Sequence, residues 1–489
     1  MEKKLENYFK RFRKHIIGQE AFMEGPFGRK RIIYADWTAS GRLYESIEKR
    51  ISEQIGVNVA NTHTETTHTG SLMTHAYHHA KELIKKHVNA SADDVIITEG
   101  SGMTGVVSKF QRILGLRIPE HFKDQISIEE EDRPVVFVSH MEHHSNQTSW
   151  IETIAEVVII PADTEGLIDV SALKTLLEKY KSRRLKIASI TAASNVTGII
   201  TPYYEIAEIM HSNGGLCFVD FACSGPYVEI DMHKSKTQYL DAIFFSPHKF
   251  LGGPGGSGVL IFDKNLYKNA VPDNPGGGTV TFTNPWGGHG YFDDIETRED
   301  GGTPAFLQTI KVALAIKLKE EMGVDNILAR EHEQVSYVFD RLKKIQNIEI
   351  LAENHENRLG IFSFYIPDVN YNLVVKILND RFGVQTRGGC SCAGTYGHYL
   401  LHVDEHRSGE IVELIEQGCL LDKPGWIRMS IHPTMSDDEL KFICDSIQEI
   451  ASNIDHWKED YIHDAEKNEF LHKEYQDTIA LQAIDWFNL

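Results

Sequence analysis

The segment FFSPHKFLGGPGGSGVLIF, residues 244–262, joins two apolar runs through a lysine and a series of glycines. Five of the seven residues from 252 to 258 are glycine, and bare backbone of this kind lets another chain or a ligand come close. Lys249 follows directly after the first run. Because open α/β proteins bind ligands at the carboxyl ends of their parallel strands, the stretch predicts an α/β fold with a ligand site beside Lys249. Taken alone, this lysine would be an ordinary solvated cation.

Short apolar runs alternate with helical patterns on both sides of this segment. The predicted strands are DDVIIT (93–98), PVVFVSH (134–140), KIASIT (186–191), LCFVDFA (216–222) and AIFFSPH (242–248). Strands of this length separated by helices are typical of βαβ units, and hence of a mostly parallel sheet covered on both faces. Beyond about residue 305 the pattern changes to a long helix, 304–321, and then to the strands IFSFYI and WIRMSIH between helices. We therefore expect a large α/β domain and a smaller α+β domain.

These patterns divide the chain into four segments. Residues 1–30 are predicted to form an N-terminal helical segment, 31–305 the large domain, 306–455 the small C-terminal domain and 456–489 a C-terminal helical extension. The extension has a helical period and is rich in aromatic and acidic residues. We expect it to pack on the body of the protein or on a partner.

Composition and charge exclude several classes of protein. The chain has 489 residues, of which 41% are hydrophobic and 25% charged, so it can bury a large core. Its 50 basic and 70 acidic residues give a net charge of −20, which repels nucleic acid and anionic membranes. No run of about eighteen apolar residues occurs, so we expect no signal peptide, no membrane span and a cytoplasmic location. In that compartment the six cysteines are expected to be thiols.

A second glycine motif follows the first predicted strand. Gly100 to Gly105 reads G-S-G-M-T-G, which fits the G-x-G-x-x-G fingerprint of dinucleotide-binding folds. Such folds place an acidic residue at the end of the next strand, whereas that strand here ends in Ser139 and His140. What remains is a helix N-terminus that suits an anion, with Ser101 and Thr104 as further donors. The motif predicts a phosphate-binding turn; a plain tight turn is the alternative.

A phosphate site without a nucleotide, combined with Lys249, indicates pyridoxal 5'-phosphate. A lysine with a lowered pKa can form a Schiff base with an aldehyde, and this cofactor carries both an aldehyde and a phosphate. The cofactor also needs an acid that keeps its pyridine nitrogen protonated. Asp220, at the end of the apolar run FVDFA, is the candidate for that role. Alone it could equally be a helix cap or a turn residue.

At this point the sequence resembles a known family. The motifs ADWTASG (35–41), NTHTETTHTG (61–70), EGSGMTG (99–105), MEHHSN (141–146), SNVTG (194–198), VDFA (219–222), SPHK (246–249), GGTP (301–304), TRGGCSC (386–392) and WIRMSIH (426–432) occur in the order of the class V aminotransferase fold group. Within it, the sequence is most similar to the cysteine desulfurase and selenocysteine lyase branch. The resemblance implies the pyridoxal-phosphate fold type I, with a mostly parallel, seven-stranded type of sheet in the large, cofactor-binding domain.

The resemblance also implies roles for individual residues. Lys249 would carry the cofactor as a Schiff base and move protons, Asp220 would pair with the pyridine nitrogen, and His143 would stack on the ring. The other implied cofactor contacts are Ser101, Gly102, Asn195, Ser246, His248 and, from across a dimer interface, Thr303. Arg428, with Arg387, would bind the substrate carboxylate. In two places the chain departs from the family: Cys223 replaces a glutamine near the ring oxygen, and Gly102 replaces a threonine of the phosphate loop.

The cysteine in TRGGCSCAG determines which reaction is expected. Cys392 aligns with the nucleophile of the desulfurases, and only a thiolate removes the sulfur of a bound cysteine as a persulfide. Glycines near the thiol favour a mobile loop, and Cys390 is an addition to the family pattern. Two other interpretations are a buried structural cysteine and a metal clip formed with His398 and His402. A second set of histidines, in the segment 61–79, is expected to line the cofactor cleft or a solvated helix face; it comprises His63, His68, His75, His78 and His79.

The sequence therefore predicts a homodimeric pyridoxal-phosphate enzyme, a transferase or lyase, that acts on cysteine or selenocysteine. Alanine and a persulfide on Cys392 are the expected products, a sulfur-acceptor protein is the expected partner, and no metal is expected. One alternative is a class V aminotransferase or epimerase in which the two neighbouring cysteines take no part. An alternative of another class is a non-catalytic scaffold that retains the cofactor site.

Overall fold

The computed structural model describes residues 4–421, 423–465 and 467–488. Residues 1–3 of the predicted N-terminal segment, residue 422 of the small domain, and residues 466 and 489 of the predicted extension lie outside the described residues. The chain divides into two compact units. One consists of Met1–Trp37 with Ala329–Leu489, and the other is Thr38–Leu328.

Helices and strands alternate through most of the described chain. The α-helices are α1 (Lys4–Arg13), α2 (Glu45–Lys49), α3 (His68–His87), α4 (Met103–Ile113), α5 (His144–Ile151), α6 (Val170–Lys179), α7 (Tyr203–Ser212), α8 (Ile295–Arg298), α9 (Phe306–Met322), α10 (Val324–Leu342), α11 (Tyr371–Ile377), α12 (Gly394–Leu400), α13 (Glu405–Glu416), α14 (Asp437–Trp457) and α15 (Ile479–Asp485). The strands are β1 (Phe22–Met23), β2 (Lys30–Arg31), β3 (Ile33–Tyr34), β4 (Asp94–Glu99), β5 (Val135–Ser139), β6 (Glu156–Ile160), β7 (Lys186–Thr191), β8 (Leu216–Asp220), β9 (Ala242–Phe245), β10 (Gly258–Asp263), β11 (Val280–Thr283), β12 (His289–Tyr291), β13 (Glu349–Ile350), β14 (Ile361–Tyr365), β15 (Val384–Gln385), β16 (Arg387–Gly389), β17 (Trp426–Ser430), β18 (Tyr461–Asp464) and β19 (Glu469–His472).

The unit Thr38–Leu328 is built on a seven-stranded sheet. Its strand order is β4-β10-β9-β8-β7-β5-β6. The neighbours from β9 to β6 run parallel, whereas β10 runs antiparallel to both β4 and β9. The predicted α/β class with a mostly parallel sheet of the seven-stranded type is confirmed.

Buried apolar strands and amphipathic helices explain this architecture. Strands β5, β7 and β9 are buried along their whole length, as expected for a sheet covered on both faces. Helix α4 turns Val106 and Phe110 toward the sheet, where the Phe110 ring lies 5.1 Å from that of Phe218 on β8. This packing holds α4, the helix that begins in the second glycine motif, against the sheet.

The ends of the strands position the candidate site. Because β5, β7, β8 and β9 run parallel, their carboxyl ends lie at one edge of the sheet. Ser139, Thr191 and Asp220 end three of these strands, and a 3-10 turn, Pro247–Lys249, follows the fourth. The polar motifs of the sequence therefore reach this edge.

The unit formed by Met1–Trp37 and Ala329–Leu489 is an α+β structure. Its main sheet has the order β13-β14-β17-β16, and all of its neighbours run antiparallel. A capping box begins α14: the Ser436 hydroxyl accepts from the Glu439 backbone N–H, and the Glu439 carboxylate accepts from the Ser436 N–H. A smaller α+β domain was expected from the IFSFYI and WIRMSIH runs, which form β14 and β17.

Both ends of the chain differ from the predicted helical segments. Among the described residues before residue 30, only α1 is an α-helix, and β1 and β2 then pair across a turn in which Gly28 has φ 79°. After α14, the predicted extension contains the β18–β19 hairpin before the short helix α15. In β19, half-buried and exposed residues alternate with period two, which suits a strand. Among the described residues, no helix has the length and apolar character needed to cross a membrane.

Candidate active site

In the unit Thr38–Leu328, the backbone around Lys249 is packed so closely that glycine is required at several positions. Lys249 is half-buried at the end of the 3-10 turn that follows β9. The Gly41 N–H donates to the His248 carbonyl at 2.8 Å, and a Cβ on Gly41 would lie 2.1 Å from the Phe250 carbonyl oxygen. A Cβ on Gly253 would lie 1.9 Å from the carbonyl oxygen of Pro247. The glycines are required because backbone packs directly on the backbone that carries the lysine.

Asp220 is a buried acid at the end of β8. It is 3% exposed, and its Oδ1 accepts from the Ala222 N–H at 2.7 Å. Burial raises the pKa of Asp220 to about 6, while the Ala222 N–H and the Lys249 ammonium act in the opposite direction. A buried carboxylate of this kind is stabilised by a bound cation.

The second glycine motif forms a narrow turn between β4 and α4. Gly102 precedes the helix with extended backbone, φ −174°, and no side chain caps the helix there. The Met103 N–H donates to the Ser246 hydroxyl at 2.9 Å, so the motif and the lysine turn are joined. A Cβ on Gly102 would lie 3.4 Å from the Ser246 hydroxyl oxygen, and Ser101 is exposed beside it. Ser101, Gly102 and Ser246, three of the four residues predicted to hold the phosphate, therefore lie at one helix N-terminus.

Two histidines predicted to contact the cofactor, one at the ring and one at the phosphate, have defined environments. His143 caps α5, and its Nδ1 accepts from the Ser145 N–H at 3.1 Å, so Nε2 carries the proton in the neutral ring. His248 Nδ1 lies 3.2 Å from the Ser40 hydroxyl. Burial lowers the pKa of His248 to about 4, and the neighbouring Lys249 charge acts in the same direction. His248 is therefore a neutral imidazole near pH 7.

The remaining predicted cofactor residues lie in different environments. Asn195 and Cys223 are buried, and the Cys223 thiol donates to the Ala193 carbonyl at 3.3 Å. Thr303 is exposed in the loop before α9, as a residue offered to another chain would be. The roles assigned to these three residues stay predictions.

Glu142 was missed by the sequence analysis, although it lies in the MEHHSN motif. It is fully buried, and its Oε1 accepts from the Ser139 hydroxyl at 2.6 Å and from the Thr191 N–H at 2.9 Å. Its Oε2 accepts from Asn146 Nδ2 at 2.7 Å. Burial raises the pKa of Glu142 to about 8, and the charge of Asp220 adds to that rise. Glu142 thus joins the ends of β5 and β7 to the helix that His143 caps.

In the other unit, the two predicted substrate arginines are bound by one carboxylate. Arg387 on β16 and Arg428 on β17 are cross-strand partners. Arg428 Nη2 lies 3.0 Å from Asp36 Oδ1, and Arg387 Nε lies 3.1 Å from Asp36 Oδ2. Asp36 belongs to the ADWTASG motif, but no local pattern marked it as their partner. The structure therefore adds an internal carboxylate to the predicted carboxylate site.

The cysteine segment forms a hydrogen-bonded turn between β16 and α12. The Ala393 N–H donates to the Cys390 carbonyl at 3.0 Å, and the residues between them are left-handed, with φ 52° at Ser391 and 56° at Cys392. This is the pattern of a type I′ turn. The buried Trp426 indole N–H donates to the Ser391 hydroxyl at 3.2 Å. Cys392 is exposed and Cys390 is half-buried. The glycines of the expected mobile loop, 388 and 389, lie in β16.

The metal clip considered for His398 and His402 receives no support from the structure. Among the described residues, no group of three or more His, Cys, Asp or Glu side chains is arranged to hold a metal ion. His398 directs Nδ1 to the Gly394 carbonyl and Nε2 to the Ser408 hydroxyl, each at 2.8 Å. The histidines of the segment 61–79 are exposed, on α3 or just before it: His63, His68, His75, His78 and His79.

Sequence comparison places the chain among known proteins. A family model described as Aminotransferase class-V matches residues 33–443. A probable cysteine desulfurase of Halalkalibacterium halodurans is 29% identical over 371 residues, which cover 74% of this chain and 84% of that protein. A probable cysteine desulfurase of Staphylococcus aureus is 29% identical over 383 residues, which cover 77% of this chain and 87% of that protein.

Solved structures share the fold. The apo structure of a cysteine desulfurase from Thermococcus onnurineus has a TM-score of 0.71 and 21% identity, with 91% of this chain and 98% of that chain covered. The cysteine desulfurase CsdA of Escherichia coli has a TM-score of 0.69 and 20% identity, again with 91% and 98% covered. At these identities the likeness shows the fold alone.

Proposed function

The chain belongs to the class-V aminotransferase family of pyridoxal-phosphate-dependent enzymes, and from this membership we propose that it is a cysteine desulfurase. In the proposed reaction, L-cysteine and the Cys392 thiol give alanine and a persulfide on Cys392. The observation that carries the proposal is an exposed cysteine on the turn that directly follows the arginine-bearing strand β16. Relatives named as probable cysteine desulfurases support it.

The residues of Thr38–Leu328 fit pyridoxal phosphate. The Gly102 turn offers backbone N–H groups at a helix N-terminus, and the Ser246 hydroxyl lies beside them, 2.9 Å from the Met103 nitrogen. Asp220 is a buried acid that gains from a cationic partner such as a protonated pyridine nitrogen. When bound, the cofactor supplies an electron sink that acidifies the Cα proton of an amino acid. We assign the phosphate to Ser101, Gly102, Ser246 and His248, and the ring to His143, Asn195 and Cys223.

The chain's own residues would then act on the substrate. Lys249 would hold the cofactor, and its amine would serve as the base that takes the Cα proton of the substrate. Asp220 keeps the pyridine nitrogen protonated. Arg428 and Arg387 bind the substrate carboxylate, for which bidentate guanidinium geometry is suited. Because Asp36 already binds both arginines, the substrate carboxylate has to compete with it or share them.

Cys392 supplies the step that separates desulfuration from the other reactions of the family. Its thiolate attacks the substrate Sγ; the S–S bond forms, the Cβ–Sγ bond breaks, and the electron pair left on carbon is protonated to give alanine. The persulfide is then available to a sulfur-acceptor protein. A cytoplasmic location suits this chemistry because the nucleophile has to stay reduced. We propose a homodimer in which Thr303 reaches the partner's phosphate site.

The proposal is tested by giving L-cysteine to the purified holoenzyme and measuring alanine together with the sulfur taken from the substrate, counted as protein-bound persulfide plus sulfide. Wild type and Cys419→Ala, a control at another exposed thiol, are expected to give alanine and an equal amount of this sulfur, whereas Cys392→Ala gives neither. A keto acid in place of alanine would indicate an aminotransferase, and a racemised amino acid an epimerase. A purified protein that binds no pyridoxal phosphate would favour the scaffold. Sedimentation equilibrium of the holoenzyme tests the dimer.

A further inference from the structure

Two cysteines occupy one tight turn, and one of them is the proposed nucleophile. Cys390 opens the turn and Cys392 is its third residue, with Ser391 between them. The hydrogen bond from the buried Trp426 to Ser391 ties the centre of the turn to the four-stranded sheet. A persulfide formed on Cys392 is therefore close to a second thiol.

None of the other four cysteines is both exposed and close in sequence to Cys392. All six cysteines lie within the described residues, and Cys217, Cys223 and Cys444 are buried. Burial raises the pKa of the Cys444 thiol to about 12, which leaves it inert near neutral pH. Cys419 is exposed, but it follows α13, well separated in sequence from the turn. Cys390 is the thiol that the chain itself supplies beside Cys392.

The geometry of the turn suits a bond between the two sulfurs. A left-handed helical residue such as Ser391 places the Cα atoms on either side of it roughly 5.5 Å apart. Disulfides span Cα separations of about 4.4–6.8 Å. The turn is therefore compact enough for a disulfide without unfolding the sheet below it.

Resting on the proposed desulfurase function, we propose that Cys390 resolves the persulfide of Cys392. The Cys390 thiolate attacks the inner sulfur, Sγ of Cys392; a Cys390–Cys392 disulfide forms, and the bond to the outer sulfur breaks. The outer sulfur leaves with the electron pair as hydrosulfide. The oxidising equivalent comes from the persulfide itself, so no external oxidant is consumed.

Two consequences follow from this step. Hydrosulfide is a better leaving group than an alkyl thiolate, because leaving-group rates rise as the pKa of the departing thiol falls. The enzyme then holds a disulfide in place of its nucleophile, so each further turnover needs a thiol or dithiol reductant. The turn thereby converts a protein-bound sulfur into free sulfide, and the supply of reductant limits its release.

The test is a single treatment of reduced holoenzyme with an equimolar amount of L-cysteine and no other thiol, so that the substrate is consumed and no thiol remains in excess, followed by peptide mass spectrometry and a sulfide assay. In wild type we expect a peptide with an internal Cys390–Cys392 disulfide and released sulfide in equal amounts. In Cys390→Ser, and in Cys390→Ala as a second variant, we expect a peptide carrying one extra sulfur on Cys392 and no released sulfide. Cys419→Ser should match wild type.

A second arm separates this inference from the desulfurase proposal. Cofactor-free protein is treated with inorganic polysulfide, which loads sulfur on exposed thiols directly. Disulfide closure with sulfide release in this arm, without alanine from L-cysteine in the first, would leave the resolving thiol standing and remove the proposed function. Alanine formation in the first arm, with a persulfide that persists on wild-type Cys392, would overturn the resolving role and leave the desulfurase intact.

Discussion

Arg428 Nη2 lies 3.0 Å from Oδ1 of Asp36, and this ion pair is almost completely buried. The second oxygen of the same carboxylate binds Arg387, whose side chain is 53% exposed. One internal carboxylate therefore holds both guanidinium groups that we assign to the substrate. It keeps the buried arginine compensated when no substrate is bound.

Asp36→Asn should destabilise the protein through Arg428. The substitution removes the charge that compensates a buried guanidinium but keeps an oxygen acceptor, so we expect a loss of about 1–3 kcal/mol in the free energy of unfolding. Arg387→Ala is the control, since an exposed ion pair contributes less than about 1 kcal/mol. Urea denaturation of Asp36→Asn and Arg387→Ala measures both losses of unfolding free energy. Equal losses in the two variants would contradict the interpretation.

Asp220 should make the stability of the cofactor-free protein depend on pH. Burial raises its pKa from 3.8 to about 6, so the native state retains a proton that the unfolded chain releases. The free energy of unfolding therefore falls by about 3 kcal/mol as the pH rises from about 4 to about 6 and changes little below that window. Asp220→Asn should remove this part of the slope.

Urea titrations of wild type and Asp220→Asn from about pH 4 to about pH 7 provide the measurement. Glu142, whose pKa is raised to about 8, contributes a slope of the same sign in both proteins. Because the charge of Asp220 adds to the rise of the Glu142 pKa, the difference between the two profiles measures Asp220 together with this coupling. Identical pH profiles would show that Asp220 titrates normally in the native state.

Glu142→Gln should be costly even though the two side chains have nearly the same shape. The carboxylate faces donors on both oxygens, and Asn146 cannot turn because its Oδ1 accepts from Trp150 and Ser189. A glutamine would set an NH₂ group against the NH₂ of Asn146, at a cost of about 1–3 kcal/mol. Thermal or urea unfolding measures it. The exposed Glu178→Gln should change stability by less than about 0.5 kcal/mol.

Gly258→Ala should weaken cofactor binding indirectly, by displacing the turn at Gly102 to which we assign the phosphate. A Cβ on Gly258 would lie 2.3 Å from the Gly102 carbonyl oxygen, so the phosphate turn has to move. Overpacking of this kind costs about 1–3 kcal/mol, or roughly tenfold in affinity at 1.4 kcal/mol. Spectrophotometric titration with pyridoxal phosphate measures it. Gly102→Ala, which has extended backbone and keeps its N–H, should retain most of the affinity.

The buried strands were predictable from sequence because they are continuous apolar runs. KIASIT coincides with β7, and the predicted helix 304–321 matches α9 within two residues at its start and one at its end. Strand β6 was missed because it lies at the edge of the sheet and is mostly half-buried. The C-terminal hairpin was taken for a helix because short aromatic and acidic patterns fit either period. Its pairing depends on contacts that local spacing does not reveal.

The residues of the candidate site also fall into two groups, those that the sequence could indicate and those that it could not. Lys249 and Asp220 could be singled out as candidates because Lys249 follows a buried apolar strand and Asp220 ends one. Asp36 and Glu142 were not assigned, because their partners come from distant parts of the chain: Arg428 for the first and Thr191 for the second. Ordered motifs locate a site, but they do not identify the groups that hold its charges in place.

The position of β4 at the end of the seven-stranded sheet has a consequence for synthesis on the ribosome. Its sheet neighbour is β10, which begins at Gly258, long after β4 ends at Glu99. At about 5–20 residues per second, roughly 8–30 s separate the two strands during translation. The turn at Gly102, to which we assign the phosphate, is therefore completed late, and we expect a nascent chain that ends before β10 not to bind the cofactor there.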